Sequence, residues 1–165
     1  MNWFKKNKKE EKLKDDDKNV KISVQGLKPI NYPSKIILAW AKAIEGNSEL
    51  QDWLKDNGYL ELYAGVQAIY LRDEPREWLL KNGYAHMMAM INCCEGHENA
   101  GKWLLENNFT LLYHIGRAVD HEMESWLWLR KNSTQDIFML AKSIQFIKDR
   151  IEENHNDMHS MNKDL

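Results

Sequence analysis

Four stretches of eight residues, spaced 25 residues apart, decide the fold of this chain. They read DWLKDNGY at 52–59, EWLLKNGY at 77–84, KWLLENNF at 102–109 and LWLRKNST at 127–134. Every copy holds a Trp-Leu pair and an Asn four residues after the Trp. In three copies a Gly or Asn and then an aromatic residue follow. Agreement of four copies in several columns predicts a repeat protein in which each unit stacks on the next.

The columns indicate a helix–turn–helix unit. We expect Trp-Leu near the end of one helix. Asn-Gly then stops that helix, because Gly and Asn tolerate the left-handed conformation after the last turn. After the turn, apolar residues recur at steps of three and four, as on the buried face of a second helix. In the first copy these residues are Tyr59, Leu62, Tyr63, Val66 and Ile69.

The two ends of the repeat region depart from the pattern, as the caps of a solenoid do. Ser34 to Glu45 matches the second helix but has no Trp-Leu helix before it, and Thr134 to about Glu153 has the pattern of one longer helix. The sequence therefore predicts an all-α fold, a short αα-hairpin solenoid or α–α superhelix. It should have about nine helices and a long C-terminal capping helix.

Composition divides the chain into three parts. Residues 1–19 contain seven lysines and five acidic residues but few apolar ones. Such a segment buries too little surface to offset its ordering entropy, so we expect 1–20 to be a charged, disordered tail. Residues 21–155 should form a single helical-repeat domain, and 156–165 a flexible tail.

Charge and cysteine usage exclude several protein classes. The net charge of −2 over 165 residues argues against a general nucleic-acid binder. No apolar run approaches the roughly 20 residues of a membrane span. Cys93 and Cys94 are adjacent and poorly placed for a disulfide. We therefore expect a protein of the reducing cytoplasm.

Two turn regions resemble ankyrin repeats. EGHE at 95–98 followed by KWLLEN at 102–107 is similar to the turn and second helix of that family, and EGNS at 45–48 with Trp53-Leu54 is similar too. The resemblance covers residues 34–133, but the period is 25 rather than about 33 residues. The missing residues match the β-hairpin finger. The resemblance implies an ankyrin-like helical stack without fingers and a protein-binding role.

A polar ridge is the candidate binding surface. Stacking would align Gln67, Asn92, Arg117 and Lys142 in one column, and Thr110, His114 and His121 share a helix face with Arg117. Such a ridge could grip an acidic protein segment or a phosphate, or could only keep the protein in solution. Trp126 lies outside the Trp column and is the candidate aromatic anchor.

No catalytic motif stands out, so the first hypothesis is a non-enzymatic protein-binding scaffold or adaptor without catalytic residues, metal ligands or cofactor. One alternative is a metal-binding or enzymatic protein centred on Cys93, Cys94, His97 and His114. The cysteines fall in buried columns, which favours core packing instead. Another alternative is nucleic-acid binding by the concave face of the repeats, against which the acidic net charge argues.

Overall fold

The computed structural model of the chain describes residues 26–161, with side chains as far as residue 155. This part of the chain forms nine α-helices and no strand. The helices are α1 Ser34–Ile44, α2 Ser48–Asp56, α3 Leu60–Ile69, α4 Asp73–Lys81, α5 Ala85–Cys94, α6 Glu98–Glu106, α7 Thr110–Val119, α8 Met123–Asn132 and α9 Gln135–Met161. The predicted all-helical repeat fold and its long last helix are confirmed. The tail predicted at residues 1–20 lies outside the described residues, as do residues 162–165.

The repeated Asn ends each outer helix in the same way. Its side-chain amide donates to the backbone oxygen of the Trp four residues earlier, at 2.9 Å in Asn57, 2.8 Å in Asn82, 2.8 Å in Asn107 and 2.9 Å in Asn132. The next residue is left-handed in the first three copies, with φ of 88° at Gly58, 88° at Gly83 and 63° at Asn108. The chain then turns directly into the next helix.

The helices form an inner and an outer layer. The odd-numbered helices are inner, and each even-numbered helix packs on the two inner helices that precede and follow it. The Leu of each Trp-Leu pair is fully buried. The Trp is partly exposed and, in the first three copies, stacks on the aromatic residue that opens the next unit, with ring centroids about 6 Å apart.

The inner layer closes on itself. Helix α9 packs on α7 and also, extensively, on α1. The hydroxyl of Ser143 donates to Glu45 Oε1 at 2.6 Å, and Ser34 hydrogen-bonds Asp136 near the start of both helices. Helices α1, α3, α5, α7 and α9 therefore form a ring around a single core. This closure is a finding that the repeat pattern alone does not predict.

Helix α9 is held at one end of the ring by ionic contacts. Lys148, which is buried, lies 3.4 Å from Glu95 at the end of α5. Arg76 of α4 pairs with the same carboxylate and donates to the backbone oxygen of Ala68. Burial alone would raise the pKa of Glu95, but Arg76 and Lys148 together lower it below its ordinary value. The long helix thus joins units that are distant in sequence.

The buried Leu column should dominate stability. We expect Leu104→Ala to lower the free energy of unfolding by about 2–5 kcal/mol, because it leaves a cavity between α5, α6 and α7. The adjacent Leu105 is exposed, so Leu105→Ala should change the free energy by less than about 0.5 kcal/mol. Urea unfolding followed by circular dichroism measures both. Equal losses in the two variants would contradict this assignment of the core.

Candidate binding surface

The predicted polar ridge runs along the grooves between units, where its side chains bond to neighbouring helices. The amide of Gln67 donates to Gln51 of the outer helix before it, at 3.4 Å. The guanidinium of Arg117 bonds Asp120 at 3.2 Å and Glu122 at 3.3 Å. Because the Gln67 amide and the Arg117 guanidinium already donate to acceptors within the protein, fewer of their N–H groups are free to bind a partner.

His114 is part of a network that fastens α8 to α7. Its Nδ1 lies 3.0 Å from Ser125 Oγ, and its ring stacks on Trp128 with centroids 4.0 Å apart. The buried Ser125 donates to Glu122. Burial lowers the pKa of His114, although Glu122 opposes the shift. Ser125 rather than the imidazole is central in this network, so the arrangement differs from a hydrolytic triad, in which His lies between Ser and the acid.

The remaining ridge residues have varied settings. Thr110 is exposed at the first position of α7, and Asn92 is half-buried on α5. His121 is left-handed, with φ of 67°, and its Nε2 lies 3.1 Å from Asp149 of α9. Lys142 lies over the ring of Trp126, 3.9 Å from its centroid. The structure therefore brings Trp126 and Lys142 together, while most of the other polar groups join repeat units to one another.

The cysteine and histidine residues of the metal or enzyme hypothesis do not converge. Cys93 and Cys94 are buried, and burial raises the pKa of Cys93 to about 11 and raises that of Cys94 as well. Both thiols are therefore held protonated and unreactive. His97 is exposed beside Glu95, 3.9 Å away. Over residues 26–155, no three His, Cys, Asp or Glu side chains are placed to hold a metal ion.

The most exposed large apolar side chains lie on α8. Met123 is 68% exposed and Leu127 is 60% exposed. They are four residues apart, on one face of the helix. Trp126, predicted as an exposed anchor, is half-buried and meets the ring of Phe138 edge-on, with centroids 5.2 Å apart. We define the α8 face as Met123, Trp126 and Leu127.

The repeat columns contain a signal for the α8 face that sequence reasoning missed. At the position of Met123 the earlier outer helices have Ser48, Asp73 and Glu98. At the position of Leu127 they have Asp52, Glu77 and Lys102. The fourth repeat thus exposes two apolar residues where the others have polar or charged ones.

The comparisons with known proteins leave the chain without a family. No family model, curated protein or solved structure matches it at a significant level. Within the described part of the chain, no helix is both long enough and apolar enough to cross a bilayer.

His86 is buried on α5. Its ring lies between Tyr84 and Phe109, with centroid distances of 6.5 Å and 5.2 Å. Among the described residues its Nδ1 has no hydrogen-bond partner. Burial lowers the pKa of His86 below 6.5, although a hydrogen bond to the backbone of Lys28 opposes the shift. The folded protein therefore favours neutral His86.

Stability should fall as the pH drops below 6.5, the ordinary pKa of His. The unfolded chain then binds protons that folded His86 and His114 take up only at lower pH, so protonation favours unfolding. We expect the urea midpoint to decrease between about pH 7.5 and pH 5.5, and to decrease less in His86→Leu. Since the substitution itself changes stability, the slopes against pH are compared. An unchanged slope would exclude His86 as a source of the dependence.

Proposed function

We propose that this protein is a non-enzymatic binding scaffold that holds a protein partner on the α8 face. The observation that carries the proposal is the exposure of Met123 and Leu127 one helical turn apart. Isolated exposed apolar residues are common on protein surfaces. Two neighbouring ones on one helix face, which replace polar or charged residues of an otherwise regular repeat, are typical of an interaction site.

The surroundings of the α8 face indicate the chemistry of the partner. Arg130 and Lys131 end α8 and are exposed, and the cation of Lys142 lies over the ring of Trp126. An apolar centre with cations beside it fits an amphipathic helix that has acidic residues next to its apolar stripe. The Trp supplies a large, rigid contact area that loses little entropy on binding.

The architecture and the resemblance to ankyrin repeats support the same role. Stacked helices present a rigid surface, so little conformational freedom is lost on binding. The proposal places the protein in the cytoplasm, where the free Cys93 and Cys94 remain reduced.

Site-specific photocrosslinking in the source cells tests the proposal. A photoreactive amino acid replaces Leu127, and in the control it replaces Lys102, the exposed residue in the same column on α6. We expect a protein to be captured at position 127 and not at 102. Capture of the same proteins from both positions would contradict a site on α8.

The captured partner is then purified and its affinity is measured by titration calorimetry. Leu127→Glu should weaken binding by about tenfold or more, because it places a charge in the apolar centre. Lys102→Glu should leave the affinity unchanged. If Leu127→Glu binds as tightly as the unsubstituted protein, the α8 face is not the binding surface.

A further inference from the structure

The outer layer has one groove that no described helix fills. Helices α2, α4, α6 and α8 each cover the groove between two neighbouring inner helices. Helices α9 and α1 are also neighbours, but within residues 26–161 no outer helix covers the groove between them. We call this the fifth groove and define it by Leu38 and Lys42 of α1 with Gln135 and Met139 of α9, all of which are exposed.

The α1 side of the fifth groove consists of residues that an outer helix contacts in the other units. Tyr63 and Phe138 occupy the same repeat position as Leu38. Phe138 packs against Trp126 of α8, and the amino group of Lys55 of α2 lies over the ring of Tyr63. Met88, in the same column under α4, is 3% exposed, whereas Leu38 is 36% exposed. Leu38 therefore faces the place that a preceding outer helix would occupy.

The α9 side shows the same contrast. Met139 occupies the same repeat position as Ala64, Ala89 and His114. Ala64 and Ala89 are fully or almost fully buried, whereas Met139 is 39% exposed. In the fourth unit, His114 stacks on Trp128 of the outer helix that follows it. By the same register, Met139 faces the position that the Trp of a fifth outer helix would take. Its thioether suits contact with an aromatic ring.

The chain contains a partial match to the outer-helix motif. Residues 3–7 read WFKKN, with an apolar residue after the Trp and an Asn four residues after it. The position one repeat length before Trp53 is Lys28, in the non-helical stretch before α1, and Trp3 lies two repeat lengths before Trp53. We propose that the segment Trp3–Asn7 docks in the fifth groove as a fifth outer helix. Trp3 then lies against Met139, and Phe4 takes the buried position that Leu54 occupies in α2.

The charges of the segment fit this register. Lys5 aligns with Lys55, which is half-buried, and with the exposed Leu80 and Leu105, and Lys6 aligns with the exposed Lys81 and Glu106. In the docked segment both lysines can therefore keep their charged ends in water, with Lys5 beside Leu38 as Lys55 is beside Tyr63, while Trp3 and Phe4 face the groove. Asn7 would close the helix through the oxygen of Trp3, as Asn57 does through that of Trp53.

The connecting chain is long enough for this docking. The backbone N–H of Lys28 donates to Gly83 at 2.9 Å, so the described chain begins beside the start of α5. Helices α1 and α9 start at the same end of the ring, because Ser34 hydrogen-bonds Asp136. Residues 8–25 can span up to about 60 Å when extended, whereas neighbouring helices are only about 10 Å apart. The docked segment would compete with any external helix for the fifth groove.

Thiol accessibility at position 139 tests the docking. We compare Met139→Cys with the double variant that also carries Phe4→Asp, using a small maleimide and the full chain. A docked segment should slow labelling by about tenfold or more relative to the double variant, which corresponds to occupancy of about nine-tenths. Leu105→Cys, on α6 and outside the α8 face, is the matched control, because Leu105 is about as exposed as Met139, and it should label equally fast with and without Phe4→Asp.

The outcomes separate the possible occupants. Equal and fast labelling of position 139 in both chains would overturn the proposal and leave the fifth groove open to a partner protein. Equal and slow labelling would overturn it too, because something other than this segment would then cover Met139. The unsubstituted protein gives the background from the buried Cys93 and Cys94, and circular dichroism verifies that each variant is folded. Since the fifth groove and the α8 face are distinct, failure here would not bear on the scaffold proposal.

Discussion

The burial of one Leu per unit between two inner helices is the interaction on which the rest of the structure depends. These residues are Leu54, Leu79, Leu104 and Leu129, and none has measurable exposure. Each fixes where its outer helix lies and therefore how far apart the neighbouring inner helices are. Trp stacking and the Asn side-chain bond act at the end of the same helix. The ring of inner helices is built on these contacts.

Much of the fold follows from the sequence because it depends on local chemistry that recurs at a fixed period. Asn-Gly stops a helix through backbone preference, and apolar steps of three and four define a buried face. Ring closure depends on a contact between helices about a hundred residues apart in sequence, such as that between Ser143 and Glu45. No short-range pattern specifies such a contact, so it becomes visible only in three dimensions.

The proposed binding surface is harder to predict from the sequence than the fold. A column of polar residues can bind a partner or can form hydrogen bonds between repeat units, and the sequence does not distinguish these two roles. Arg117 and His114 bond to the outer helix beside them, which only the packing reveals. Met123 and Leu127 could have been found by asking where one copy departs from the other three. That comparison separates the residues that every unit needs from those that one unit carries alone.

Ring closure also has a consequence for the number of repeats. An open solenoid can gain or lose a unit at little cost, because each unit contacts only its neighbours. Here the last helix must meet the first, and Lys148 of α9 must reach Glu95 at the end of α5. Inserting or deleting 25 residues would change the circumference of the ring, and a unit inserted between α5 and α9 would also separate Lys148 from Glu95. The closed arrangement therefore favours a definite count of units, so that duplication of a unit, the usual route by which repeat proteins lengthen, would cost more stability here than in an open solenoid.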